Sequence, residues 1–204
     1  MKKITLLIVG LSVLNLTNCK SEDPDDSIPD TTTPSLTQEQ EANLQFMQEE
    51  EKLARDVYTT FYEKWEDHPF SNISGSEQDH MNRIQAHMDE YGVESLVKDE
   101  AGVFTNSALQ SLYDSLTTVG LANQVDALMI GAEIEELDIL DLMDAMETHF
   151  PEGDINTTYQ NLMDASKKHL YAYTKYMSMQ FDTTYVPRHM SQSLYEQMRA
   201  EGKH

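Results

Sequence analysis

Apolar positions along the chain fall into blocks whose three- and four-residue spacing predicts helices. The first block runs from Thr37 to about Trp65, and Thr37 with Gln40 three residues on has the pattern of a capping box. Pro69 interrupts it, and a second helix is predicted from about Ser71 to Tyr91, stopped by Gly92. Gly92 to Gly120 reads as a long connection holding one short helix, with Leu109, Leu112, Tyr113 and Leu116 as its apolar stripe. A third long helix is predicted from about Asn123 to Phe150, ended by Pro151 and Gly153. Asp154 then caps a fourth, from about Ile155 to Gln180. Tyr185-Val186-Pro187 reads as extended, and Ser191 to Ala200 as a short terminal helix. No alternating strand pattern interrupts the series.

Four long helices with one long crossover between the second and third predict an all-α fold, the ferritin-like variant of the four-helix bundle. The expected domain spans residues 38–187, and 188–204 form a C-terminal tail carrying the short helix. Ahead of it, Lys2 and Lys3 precede an apolar run from Ile4 to Leu14. Spanning a bilayer takes about 20 residues, so 1–18 read as a secretory signal rather than a membrane helix. Leu16-Thr17-Asn18-Cys19 resembles a lipobox, which makes Cys19 the expected lipidation site. Asn18 departs from that pattern, where a small residue is usual. Plain secretion or an uncleaved anchor is the alternative. Residues 19–37, with Pro24, Pro29 and Pro34 among acids and hydroxyls, read as a disordered acidic tether. The expected location is the bacterial cell envelope, periplasmic or surface-exposed, with the membrane reached through lipid.

Charge narrows the partners. Thirty-six acids against 14 bases give a formal charge of −22, and such a surface repels phosphates, so nucleic acid is excluded as a general partner. A single cysteine rules out a disulfide framework and a cluster of thiolate ligands.

The informative acids are those predicted to face inward. Each helical residue turns by about 100°. With Glu50 set at zero, Phe46, Leu53, Ala54, Val57 and Phe61 fall within about 60° of it, while Glu49 and Glu51 point to either side. On the second helix Glu77 holds the same central place among Ile73, Met81, Ile84 and Met88, with His80 three residues on. His169 of the fourth helix faces inward with Leu162, Tyr173 and Tyr176. On the third helix Glu135 and Glu136 straddle the stripe of Leu128, Ala132, Ile139, Leu142, Met143 and Met146, and either fits.

A buried carboxylate costs several kcal/mol unless paired, protonated or bound to metal. Lys52 and Arg55 point away from Glu50, which leaves a multivalent cation as partner. Carboxylates with imidazoles suit iron, manganese or zinc. A Glu from one helix with Glu-x-x-His from the next is half of a di-iron carboxylate constellation. The competing reading of Glu77 is a helix-capping partner of Ser74, in a helix that begins at Gly75. Glu50 protonated, or turned out to solvent, is likewise open.

The runs Glu49-Glu50-Glu51-Lys52-Leu53-Ala54-Arg55-Asp56-Val57-Tyr58, Phe70-Ser71-Asn72-Ile73 and Ser76-Glu77-Gln78-Asp79-His80-Met81 resemble a ferritin-like family of prokaryotic proteins that carries a domain of unknown function. Gly131 through Ile139, Asn161 through Leu170 and the Tyr185-Val186-Pro187 turn fit it as well, so the resemblance covers about Gln45 to Pro187. It implies a rubrerythrin- or ferritin-like bundle around a non-haem centre of two iron ions, without an assigned reaction. Ser166 departs from the broader pattern, standing where a symmetric site has the Glu of a second Glu-x-x-His. On this reading Glu50 and His80 are terminal ligands of one metal and Glu77 bridges two. Glu135, or Glu136 in its place, is a second bridge or terminal ligand, and His169 completes the second metal. Tyr58 and Tyr173 are candidate redox or supporting groups, and Asp138 a candidate orienting carboxylate. Oxygen or peroxide is the expected partner of such a centre. The rival expectations are a metal-storing bundle and a metal-free bundle that presents a surface to a partner; a homodimer is open in each case.

Overall fold

The computed structural model describes residues 35–204, which form six helices and no strand: α1 (Gln38–Trp65), α2 (His68–Tyr91), α3 (Ser107–Gly120), α4 (Gln124–Thr148), α5 (Asp154–Phe181) and α6 (Gln192–Glu201). The expected signal segment, Cys19 and most of the tether lie outside the described residues. Among the described residues no helix is long and apolar enough to cross a membrane.

Local chemistry sets most of the boundaries. Thr37 and Gln40 close a reciprocal capping box at the start of α1, and Gly92 ends α2 in the left-handed conformation. Asn106, Asn123 and Ser191 cap α3, α4 and α6 through their side chains. Two expectations are corrected. Pro69 opens α2 instead of preceding it, because a proline in the first turn forfeits no intrahelical hydrogen bond. Glu77 is therefore mid-helix, and the capping role beside Ser74 is excluded. Asp154 is the first residue of α5, not its cap; Gly153 holds that place with no side-chain bond.

The long helices pack as two pairs, α1 with α2 and α4 with α5, joined along α1–α4 and α2–α5. The crossover between α2 and α3 lies along the outer flank of α1. There Glu49 accepts the backbone N–H groups of Thr105 and Asn106 at 2.6 and 3.0 Å. Lys52, fully buried, donates to Asp56 and to the Glu100 carbonyl, with its ammonium 4.4 Å from the centre of the Phe104 ring. This cover buries Glu49, the first of three consecutive buried glutamates on α1, Glu49, Glu50 and Glu51. At the other end of the chain, α6 packs on α5, and Lys167 pairs with Glu201 at 2.9 Å.

Apolar layers bracket a polar one. Tyr58, Phe61, Phe70 and Tyr173 interlock on one side, with neighbouring ring centres 5.4–6.3 Å apart. Leu44, Met47, Ile84, Met88, Leu142, Tyr159 and Leu162 fill the other. Gly131 makes the aromatic layer possible: a Cβ there would stand 2.6 Å from the Tyr173 ring. Gly131→Ala is therefore expected to destabilise the domain by about 1–3 kcal/mol through overpacking, despite a gain of up to about 1 kcal/mol in helix propensity. Urea unfolding of the two proteins measures the difference, and a more stable variant would show that Tyr173 yields freely.

Candidate metal centre

Between the two apolar layers, three carboxylates and two imidazoles converge. Nδ1 of His80 lies 2.8 Å from Glu77 Oε2 and 3.2 Å from Glu51 Oε2. Nδ1 of His169 lies 3.1 Å from Glu77 Oε1 and 3.3 Å from Glu135 Oε2. Two triads, Glu51–Glu77–His80 and Glu77–Glu135–His169, thus share Glu77, and in each the donor atoms all lie within 4.8 Å of one another. The imidazole rings face each other at 5.8 Å and 24°. Glu51, Glu77, His80 and Glu135 are buried and His169 nearly so. Tyr58 donates to Glu135 Oε1 at 2.6 Å, which leaves Oε2 turned to His169. The i, i+3 spacing of Glu77 and His80 sets both on one face of α2.

Of the residues expected from sequence, Glu77, His80, Glu135 and His169 meet here. Glu50 does not reach either histidine, and Glu51 stands in its place. The reason is that α1 carries two apolar stripes. Phe46, Glu50, Leu53 and Val57 form the one that the helical wheel selects. Leu44, Met47, Glu51, Ala54, Tyr58 and Phe61 form a second at heptad spacing, and it is this one that faces the other three long helices. That heptad was the available signal for Glu51. Glu136 is also settled: its carboxylate accepts from the Tyr185 hydroxyl and from the backbone N–H groups of Arg188, His189 and Met190, so it holds the C-terminal segment and not the site. Asp138 orients no histidine; it accepts from Ser166 Oγ at 2.5 Å. Tyr173 packs against Tyr58 with its ring tilted by 52° and its hydroxyl unpartnered.

The uncharacterized protein domain DUF2202 matches residues 40–201 of the chain. The chain belongs to the DUF2202 family. It is similar to the uncharacterized protein MJ0754 of Methanocaldococcus jannaschii, at 40% identity over 164 residues, covering 80% of this chain and 88% of that protein. The crystal structure of hypothetical protein MJ0754 from Methanococcus jannaschii superposes with a TM-score of 0.76 at 37% identity, covering 85% of this chain and 97% of that one.

Burial shapes the electrostatics of this DUF2202 site. It pushes the Glu51 carboxyl up to about 7 against the pull of His80, and it raises Glu135 against the pull of His169. For Glu77 burial is outweighed by its two imidazole neighbours, His169 foremost, which hold it at about 2. Burial would lower both histidines, but Glu51 and Glu77 raise His80 to about 11, and Glu77 and Glu135 raise His169 to about 10. The imidazolium protons thus do the neutralising that a cation would otherwise do.

The donor set fits a metal. Glu51 Oε1, Glu77 Oε1 and His169 Nδ1 are buried without a hydrogen-bond partner. The carboxylates line a cavity of about 10 Å³, the size of one water or ion. Oxygen and imidazole donors without thiolate suit iron, manganese or zinc.

A pH dependence follows. Glu51, Glu135, His80 and His169 all bind protons more tightly folded than unfolded, so their contribution is full below the unfolded values, near 4.5 and 6.5, and is lost as pH rises through the folded ones. Glu77 acts oppositely, but only below its unfolded value of 4.5. In chelator, the melting temperature is expected to fall as pH rises from about 5 to 10, by about 2–4 °C per kcal/mol lost. Circular dichroism melts read this directly, and a flat or rising profile would contradict the charge assignment.

Proposed function

We propose that this protein is a two-metal carboxylate–histidine protein, with α1, α2, α4 and α5 forming a ferritin-like four-helix bundle around the centre. The observation that carries the reading is Glu77, whose two oxygens lie 2.8 and 3.1 Å from the Nδ1 atoms of different histidines. A carboxylate placed so is arranged to bridge. Glu51 with His80 would complete one metal position, and Glu135 with His169 the other. Iron is the proposed occupant, with manganese or zinc as alternatives, and the proposed activity is oxidoreductase chemistry on oxygen or peroxide.

Bound iron would supply one-electron exchange with oxygen species. The chain's own part is geometric and electrostatic. Tyr58 fixes which oxygen of Glu135 is free for the centre. The aromatic layer beneath and the aliphatic layer above exclude water, which strengthens every charge interaction inside. Ser166, at the position of a fourth carboxylate in a symmetric site, would reduce the negative charge there, and its hydroxyl donates to Asp138.

Elemental analysis of protein purified without chelator tests the reading. About two metal ions per chain are expected, and Glu77→Ala should lose more than half of them while retaining its helical signal. Unchanged stoichiometry in the variant, or metal-free wild-type protein that takes up none on addition of Fe(II), would sink the proposal. Oxidation of Fe(II) in air or consumption of peroxide then separates turnover from storage.

A further inference from the structure

Three carboxyl groups lie beside the two triads without belonging to either: Glu50 on α1, and Asp138 and Asp141 on α4. Glu50 is 7% exposed and Asp138 6%. One oxygen of each, Glu50 Oε2 and Asp138 Oδ1, is buried with no hydrogen-bond partner. Both residues line the small cavity that Glu51, Glu77 and Glu135 also line. The acids that press on Glu50 are Asp141, Asp138 and Glu51. Asp141 is half-buried and so more open to solvent than the other two. The nearest bases of α1 do not answer them, since Lys52 and Arg55 both pair with Asp56.

Unpaired buried carboxylates are costly, and here Glu50 from α1 and Asp138 from α4 line the cavity beside the centre, with the half-buried Asp141 one turn of α4 beyond Asp138. They do not make a closed ligand set: among the described residues only the two groups around Glu77 bring three donor atoms within 4.8 Å of one another. Oxygens that attract a cation without enclosing it suit passage, which needs binding strong enough for entry and weak enough for departure. The net charge of −22 favours cations at the outer end.

We propose that Asp141, Glu50 and Asp138 form the entry route by which a divalent cation reaches the Glu77 centre. The inference rests on the reading of that centre as a metal site. Two groups then have distinct duties: the triads hold the ion, and the three acids beside them deliver it.

The test uses chelator-stripped full-length protein and Co(II), whose visible absorption reports ligation. Stopped-flow mixing gives the uptake rate and the end-point gives the amount bound. Glu50→Gln/Asp138→Asn is expected to slow uptake by about tenfold or more, with the end-point at the two triads retained. Asp141→Asn, nearer to solvent, should slow it less and should weaken the dependence of the rate on salt. Glu50→Gln alone serves if the double variant does not fold, as judged by circular dichroism. Wild-type rates in these variants would overturn the route while leaving the centre intact. Loss of the end-point signal in Glu50→Gln would also overturn it, by making Glu50 a ligand. Failure of wild-type protein to bind Co(II) would overturn the centre, and the route with it.

Discussion

Five carboxylates, Glu50, Glu51, Glu77, Glu135 and Asp138, sit inside a helical domain of this size and line a single cavity. Apolar burial drives helices together without regard to what lies between them, but ionised oxygens in a dry interior resist that collapse unless positive charge meets them. Among the described residues the positive groups at hand are two imidazoles, drawn far above their usual range by the acids around them. The architecture is organised around that requirement. Lysine and arginine are kept at the flanks, where Lys52 and Arg55 are tied to Asp56 and Lys167 to Glu201. The helices therefore hold an interior whose charge is balanced by protons or by metal, and by little else.

The layered packing serves the same end. Tyr58 belongs to both layers, its ring against Phe70 and Tyr173 and its hydroxyl on Glu135. A polar layer held between well-packed apolar ones has few alternative arrangements, because moving any carboxylate would open a void or leave a hydroxyl unpaired. Rigidity of this kind is what a metal-binding constellation needs from its supporting shell.

Much of this was legible in the sequence. Helix number and order follow from apolar spacing and from the capping residues Thr37, Gly92 and Ser191. Glu77, His80, Glu135 and His169 come together as the spacing predicts, because one stripe dominates α2 and α5 offers one inward histidine. Glu51, where the helical wheel points to Glu50, lies beside His80 because the wheel assumes one buried face, whereas α1 is covered on several sides by the crossover as well as by its helical neighbours. That cover is long-range, made by the Thr105 and Asn106 amides on Glu49, and no local pattern announces it. The role of Glu136 was hidden for a similar reason: its partners lie 49 to 54 residues away in the C-terminal segment.

Glu135 and Glu136 are neighbours with opposite assignments, one turned to the cavity and the other gripping the backbone of residues 188–190. A slip of α4 by a single residue would put one glutamate in the other's place, bring Ile134 or Leu137 to the place left behind, and strand the remaining carboxylate where an apolar side chain belongs. The register of α4 is thereby locked twice over by adjacent residues of identical chemistry. Surface loops in general tolerate changes of length, but an insertion or deletion between Gly131 and Asp138 would undo the interior and the C-terminal fastening in one stroke.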